Sequence, residues 1–246
     1  MKTETAQKKK AWFDKDQQLD VKAYINRVKS KQSKALKPNS QMKQVVGIKE
    51  KELLQAGIFE RFKNVSFQTI KVDDDIKENA EMIYRYAKKI DKYVAEGKGL
   101  ILSGSYGTMK TTLAVCVLRK FIEQGGSGLF IPMCSIMDNL YSMRTRSLEE
   151  WYRFETKLRE TKLLVIDDLG GEDTSAPWVL PKVNSIITER YNRKKTIIIT
   201  TNMTKNELVN TYSGRIIDRL KSTNFYIAFN AKSKRKGLNL NELREV

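Results

Sequence analysis

The run Gly104-Ser105-Tyr106-Gly107-Thr108-Met109-Lys110-Thr111-Thr112 combines the parts needed to hold a chain of phosphates. Backbone N–H groups can turn inward only where side chains do not intrude, hence Gly104 and Gly107. Lys110 supplies an ammonium for the β- and γ-phosphate oxygens, and the Thr111 hydroxyl is a ligand for Mg²⁺. One residue departs from the pattern: Met109 stands where such loops usually carry glycine. Its side chain must point away from the phosphates or crowd them, and slow turnover is the expected consequence. Further on, the apolar run Leu163-Leu164-Val165-Ile166 ends in two acids, Asp167 and Asp168. Asp167 suits the Mg²⁺ shell beside Thr111, and Asp168 suits the orientation or deprotonation of an attacking water. The two segments together point to ATP and Mg²⁺ as ligands and to hydrolysis as the reaction. A third run, Ile197 to Asn202, ends in a polar tip that can touch the γ-phosphate or the lytic water. Asn202 is the first choice for that contact and Thr201 the second. Arginines neutralise charge developing on a transferring phosphoryl group, and Arg215, Arg219 and Arg235 follow these runs.

Phosphates of this kind sit at the mouth of a parallel sheet, so the surrounding elements should alternate strand and helix. Five short apolar runs read as strands: Leu100–Leu102, Leu129–Ile131, Leu163–Ile166, Thr196–Thr200 and Phe225–Phe229. Helices are expected over Asp75–Ala95, Thr111–Glu123, Leu148–Glu160, Pro181–Asn192 and Gly214–Leu220. Ser135 and Asp138 fit a capping arrangement for another helix ending near Met143, and Thr204 with Glu207 fits a capping box. The fold class is α/β: a five-stranded parallel sheet flanked by helices. It occupies residues 56–246.

Residues 1–55 differ in kind. Between Val21 and Lys49 there is no Asp or Glu, while lysines recur and apolar residues are sparse. A short amphipathic helix carrying Val21, Tyr24, Ile25 and Val28 is the one structured element expected there. The segment reads as a basic, partner-binding region joined flexibly to the remainder.

Bulk composition excludes several function classes. The 246 residues include no histidine, which removes histidine acid–base chemistry and makes a zinc site untenable. The two cysteines, Cys116 and Cys134, lack metal-binding spacing and read as reduced thiols. Neither a membrane span nor a secretory leader is expected, so the setting is cytoplasmic. A net charge of +17 favours polyanions, of which nucleic acid is the commonest in that compartment.

In order and spacing these segments resemble the DnaC/DnaI family of replicative-helicase loaders, which are AAA+ P-loop ATPases. The likeness rests on Gly104–Thr111, Ile166-Asp167-Asp168-Leu169-Gly170-Gly171-Glu172, Thr200-Thr201-Asn202, Gly214-Arg215-Ile216-Ile217-Asp218-Arg219-Leu220 and Phe229-Asn230-Ala231-Lys232-Ser233-Lys234-Arg235. It implies Walker A roles for Lys110 and Thr111, Walker B roles for Asp167 and Asp168, and a sensor role for Asn202. Arg215 falls where the family has an arginine finger for a neighbouring subunit's ATP, and Arg235 at the sensor 2 arginine. The resemblance further implies a DnaB-type hexameric helicase as partner, single-stranded DNA as a ligand, and self-association into a nucleotide-dependent oligomer. DNA would lie along the helices from Ser135 to Glu160, with Arg144, Arg146, Arg153, Lys157 and Arg159 for phosphates and Tyr141 and Trp151 for stacking. The N-terminal zinc module of some relatives is not expected here, since no histidine and no cysteine precedes Cys116, and no helical lid domain is expected after Arg235. ATP is therefore expected to be closed mainly by the neighbouring subunit.

Two other functions fit the same residues. An IstB-type transposition ATPase has a similar core, binds duplex DNA and stimulates a transposase. Against it, Met203 to Tyr212 is polar where that type commonly carries an aromatic-rich segment. A non-catalytic helicase- or DNA-binding adaptor with a decayed ATP site would rest on Met109 alone.

Overall fold

A computed structural model describes residues 50–235. The basic region at residues 1–49, with its expected helix over Val21–Val28, lies outside the described residues.

The chain opens with helix α1 (Glu50–Gln55) and two single-turn 3-10 segments, Glu60–Phe62 and Asp74–Ile76. Then follow α2 (Lys77–Lys88), α3 (Ile90–Glu96), β1 (Gly99–Gly104), α4 (Lys110–Glu123), β2 (Gly128–Pro132), α5 (Met133–Arg146) and α6 (Leu148–Glu160). The second half runs β3 (Leu163–Leu169), α7 (Val179–Asn192), β4 (Thr196–Thr201), α8 (Lys205–Thr211), α9 (Gly214–Thr223) and β5 (Asn224–Phe229). The five strands form one sheet in the order β2-β3-β4-β1-β5, and every pairing is parallel.

Strand alternation sorts the core into two layers. Leu100, Leu102, Leu163, Val165 and Ile198 face one side, where they pack with α2 and with Leu113, Val117 and Phe121 of α4. Ile101, Leu164, Ile166, Ile197 and Ile199 face the other, against α5, α7 and α9. Being apolar on both faces, these strands need cover on both, which only crossover helices supply. Because β1 lies inside the sheet between β4 and β5, its C-terminal end opens beside theirs, with that of β3 one strand further on, the usual place for a ligand in an open parallel sheet. Among the described residues no helix is long and apolar enough to cross a membrane.

Several element boundaries differ from those expected. The helix expected over Asp75–Ala95 breaks at Lys89, whose backbone leaves the helical region at φ −114° and ψ 24°. The break lets Ile90 turn into the core and lays Tyr93 flat on Tyr86, ring centroids 4.8 Å apart. Ser135 and Asp138 cap nothing: α5 starts at Met133, directly after Pro132, with Ser135 already inside the helix. Fully buried Met133 and Ile136 draw the chain into helix at once, and Pro132 has a φ suited to the preceding position. Strand β3 runs on to Leu169 through a bulge between Ile166 and Leu169. The Thr204–Glu207 capping box is present with both reciprocal hydrogen bonds. Just before residue 56, α1 buries Leu53 in the first core layer, and Phe130 N–H donates to the Ala56 carbonyl at 2.7 Å.

Candidate nucleotide-binding site

The loop from Gly104 to Met109 joins β1 to α4 and turns on two left-handed glycines. Gly104 has φ +144°, and a Cβ there would lie 2.2 Å from the Phe229 carbonyl oxygen of β5. Gly107 has φ +75°, and its Cβ would lie 2.1 Å from Ser233 Oγ. Both glycines are therefore required by neighbouring backbone and side chain as well as by any phosphate. Thr108 is buried and donates to the Ser105 carbonyl at 2.9 Å, while Tyr106 at the tip is 68% exposed. Met109 has φ 68° and ψ 12°, the left-handed conformation natural to glycine, and its side chain packs against the first core layer. The methionine thus meets the loop's backbone requirement by strain. Its side chain points to the core.

Lys110 opens α4 with its ammonium drawn back into the loop. Nζ donates to the carbonyls of Gly104 (2.7 Å) and Ser105 (2.8 Å) and to Asn202 Oδ1 (3.0 Å). Burial pushes its pKa down, against the attraction of Asp168 and Asp167, and the positive charge of Arg235 pushes the same way as burial. Thr111 Oγ1 donates to Asp167 Oδ1 at 2.7 Å, and Thr112 follows on the same first turn. Asp167 Oδ1 also accepts from Thr200 Oγ1 at 2.5 Å. Burial raises the Asp167 carboxyl above the ordinary range, and the two hydroxyls only partly offset it.

Asp168 stands on the bulge of β3 with φ 57°, left-handed like Met109. Its N–H donates to Thr200 Oγ1 (2.9 Å), and Asn202 Nδ2 donates to its Oδ1 (2.5 Å). Strained backbone at a polar, partly open position is characteristic of functional sites. Asn202 thereby joins Lys110 to Asp168 through its two ends. Thr201 is buried and bonded to the Leu169 carbonyl at 2.6 Å, so Asn202 is the polar tip of β4 that reaches the cluster.

The arginines separate. Arg235 lies close enough to act on the Lys110 ammonium, and the residue before it donates its N–H to the Gly107 carbonyl at 2.9 Å. Arg219 is engaged elsewhere, donating to Thr188 Oγ1 at 2.6 Å and lying over the Tyr191 ring. Arg215, at the start of α9, is exposed, and its side chain has no hydrogen bond or ion pair among the described residues. It takes no part in the Lys110 cluster.

Two contributors lie within the runs that carry the resemblance, but their local sequence does not show their role. Thr200 supports both acids at once, a role visible only when β3 and β4 lie side by side. Glu172 is buried, accepting Gly170 N–H at 2.7 Å and the Tyr212 hydroxyl at 2.5 Å, which ties the loop after β3 to the turn before Arg215. On the α5–α6 side, Trp151 is not a free stacking group. It packs on the second core layer, with Lys182 5.1 Å over its ring. The exposed aromatics there are Tyr141 and Tyr152, and Tyr141 stacks on Trp178 with centroids 6.4 Å apart. Arg159 is also engaged, bridging to Glu155 at 3.1 Å.

The donor set at the mouth of the sheet is one hydroxyl and one carboxylate, both hard oxygens. That set fits Mg²⁺, which takes few protein ligands and fills its shell from phosphate and water. A buried ammonium, loop N–H groups and the α4 N-terminus fit the phosphates.

Comparison with known proteins follows the same residues. The profile of the family described as IstB-like ATP binding protein matches residues 75–239. The replicative helicase loader DnaC of Escherichia coli K12 is 27% identical over 183 residues, covering 74% of this chain and 73% of that protein. DnaC of Buchnera aphidicola subsp. Acyrthosiphon pisum is 26% identical over 237 residues, covering 94% of this chain and 87% of that protein. A crystal structure of the DnaC helicase loader superposes with TM-score 0.63 at 25% identity, covering 70% of this chain and 100% of that one. The architecture is that of AAA+ P-loop ATPases, with DnaC as a near likeness. Since the family profile spans well over half of its length, this chain belongs to the family of IstB-like ATP-binding proteins.

Proposed function

We propose that this chain is an ATP-hydrolysing loader of a DnaB-type ring helicase in cytoplasmic DNA replication. The nucleotide half of this reading rests on one geometric fact: Asn202 links Lys110 to Asp168 while Thr111 is bonded to Asp167. On binding ATP, Lys110 exchanges its carbonyl and Asn202 partners for phosphate oxygens. Thr111 and Asp167 would hold Mg²⁺, which would supply neutralisation of phosphate charge. Asp168, held in place by Asn202 Nδ2, orients the attacking water and accepts its proton as the water oxygen bonds the γ-phosphorus and the bond to the bridging oxygen breaks, releasing ADP. Arg235 acts within the chain, and Arg215, exposed and unpartnered among the described residues, acts on the ATP of an adjacent copy in a nucleotide-dependent oligomer.

The helicase half rests on the extent of the likeness to DnaC, which reaches 94% of the chain and so runs into the basic N-terminal region. Residues 1–55 are the segment assigned to the helicase. Single-stranded DNA is assigned to the α5–α6 side, where Arg144 and Arg146 accompany the exposed Tyr141–Trp178 stack. The test is co-migration with a DnaB-type hexamer in ATP. Association lost on deletion of residues 1–55 supports the reading, and no association in any nucleotide state refutes it.

The family match favours a second reading, an IstB-type transposition ATPase. That reading requires tighter binding to duplex than to single strands at the same salt concentration, and a transposase retained in a pull-down.

A further inference from the structure

Beyond β5 the chain doubles back over the phosphate loop. Ser233 Oγ fills the space beside Gly107, and Lys234 N–H donates to the Gly107 carbonyl at 2.9 Å. The Lys234 side chain then crosses to the segment leading into α2. Its ammonium lies 2.6 Å from each carboxylate oxygen of Asp75 and 3.1 Å from Asp73. A second stitch joins the same two regions: Asn79 Nδ2, at the start of α2, donates to the Ala228 carbonyl of β5 at 2.8 Å. The stretch 231–235 is thus fastened at one side to the phosphate loop and at the other to the Asp73–Asp75 turn. Arg235 is the next residue along, and its charge acts on the Lys110 ammonium.

We propose that Lys234 is a positioning residue for the nucleotide: with Asp73 and Asp75 it forms an ionic latch that holds residues 231–235 on the phosphate loop and keeps Arg235 beside that loop. The inference rests on the nucleotide reading above. The latch does no chemistry. It limits the freedom that Arg235 would otherwise lose on meeting the γ-phosphate, so part of the ordering is done before ATP arrives. Its carboxylates are open to solvent, with Asp73 62% and Asp75 42% exposed, so salt weakens it. A purely structural tie would affect melting and leave nucleotide discrimination alone. A latch aimed at Arg235 affects ATP, which carries the γ-phosphate, more than ADP.

The experiment titrates a fluorescent ATP analogue and its ADP counterpart into the full chain with Mg²⁺ at low salt. The variants are Asp73→Asn/Asp75→Asn, Arg235→Ala, their combination, the charge swap Lys234→Asp/Asp75→Lys, and Lys110→Ala. The latch variant is expected to weaken ATP about fivefold, the scale of a small exposed ion-pair network, with ADP within about twofold. The combination with Arg235→Ala should be no weaker than Arg235→Ala alone, and the charge swap should recover most of the loss. ATP affinity unchanged in the latch variant, or ATP and ADP weakened equally, overturns the proposal. Lys110→Ala separates the two failures. If it loses ATP while the latch variant does not, only the latch is wrong; if it too binds ATP normally, the nucleotide reading falls as well.

Discussion

Replacing Met109 with glycine separates a strained but open phosphate loop from an obstructed one. Met109 holds φ 68° and ψ 12°, where a side chain costs roughly 1–2 kcal/mol that glycine does not. Its side chain is half-buried on the core, and losing that contact costs about 1 kcal/mol, roughly half of full burial. Glycine also gives the unfolded chain more freedom, worth about 0.4–1 kcal/mol against folding. The three nearly cancel, so Met109→Gly should melt within about 2 °C of the parent. Met109→Ala keeps the strain and loses the contact, so it should melt lower by about 3 °C, the equivalent of roughly 1 kcal/mol. Because the side chain points to the core, ATP affinity should change less than about threefold in Met109→Gly, under 1 kcal/mol. Thermal melts and titration with a fluorescent ATP analogue measure both quantities on the same samples. ATP binding more than about tenfold tighter in the glycine variant would show that the methionine obstructs the phosphates, and the placement argued for its side chain would be wrong.

Burial raises the Asp167 carboxyl in the folded state, so the fold takes up its proton more readily than the unfolded chain. The stability linked to that proton is present below the unfolded value and lost as pH rises through the folded one. Asp167→Asn should therefore melt higher than the parent at neutral pH while losing Mg²⁺-dependent ATP binding; a lower melting temperature would contradict this. Tyr212→Phe removes a hydroxyl from the buried Glu172 carboxylate and should cost about 1–3 kcal/mol, read as a drop of several degrees in melting temperature. An unchanged melt would show that Glu172 finds another donor or water.

The sheet was legible because its strands are apolar on both faces, and a short apolar run between turn signals fits a buried strand better than any helix of that length. Helix α6 was equally plain: its charges and spacing mark Leu148–Glu160, the bounds found. The same helix carries a spacing at odds with Trp151 stacking on DNA. Trp151, Phe154 and Leu158 recur at helical intervals, which marks an inward face, and Trp151 lies on it. The break at Lys89 and the start of α5 at Met133 depend on what Tyr86, Ile90, Met133 and Ile136 meet across the core, which no local window contains. The left-handed backbones of Met109 and Asp168 are likewise imposed from outside, by the loop between two fixed elements and by the bulge against β4. Of the candidate site, Lys110, Thr111, Asp167, Asp168 and Asn202 could be named from residue type and spacing because each closes a strand or opens a helix. The supporting roles of Thr200, Glu172 and Lys234 could not be, since nothing in the runs that contain them shows which distant side chain each one meets.

The central claim is that Lys110 holds the triphosphate at the mouth of the sheet. Equilibrium titration of Mg²⁺-ATP into the parent and Lys110→Ala, with folding checked by melting, tests it most directly. Loss of one charge-assisted contact to phosphate predicts at least about tenfold weaker binding in the variant. Equal affinity in the two proteins would contradict the account.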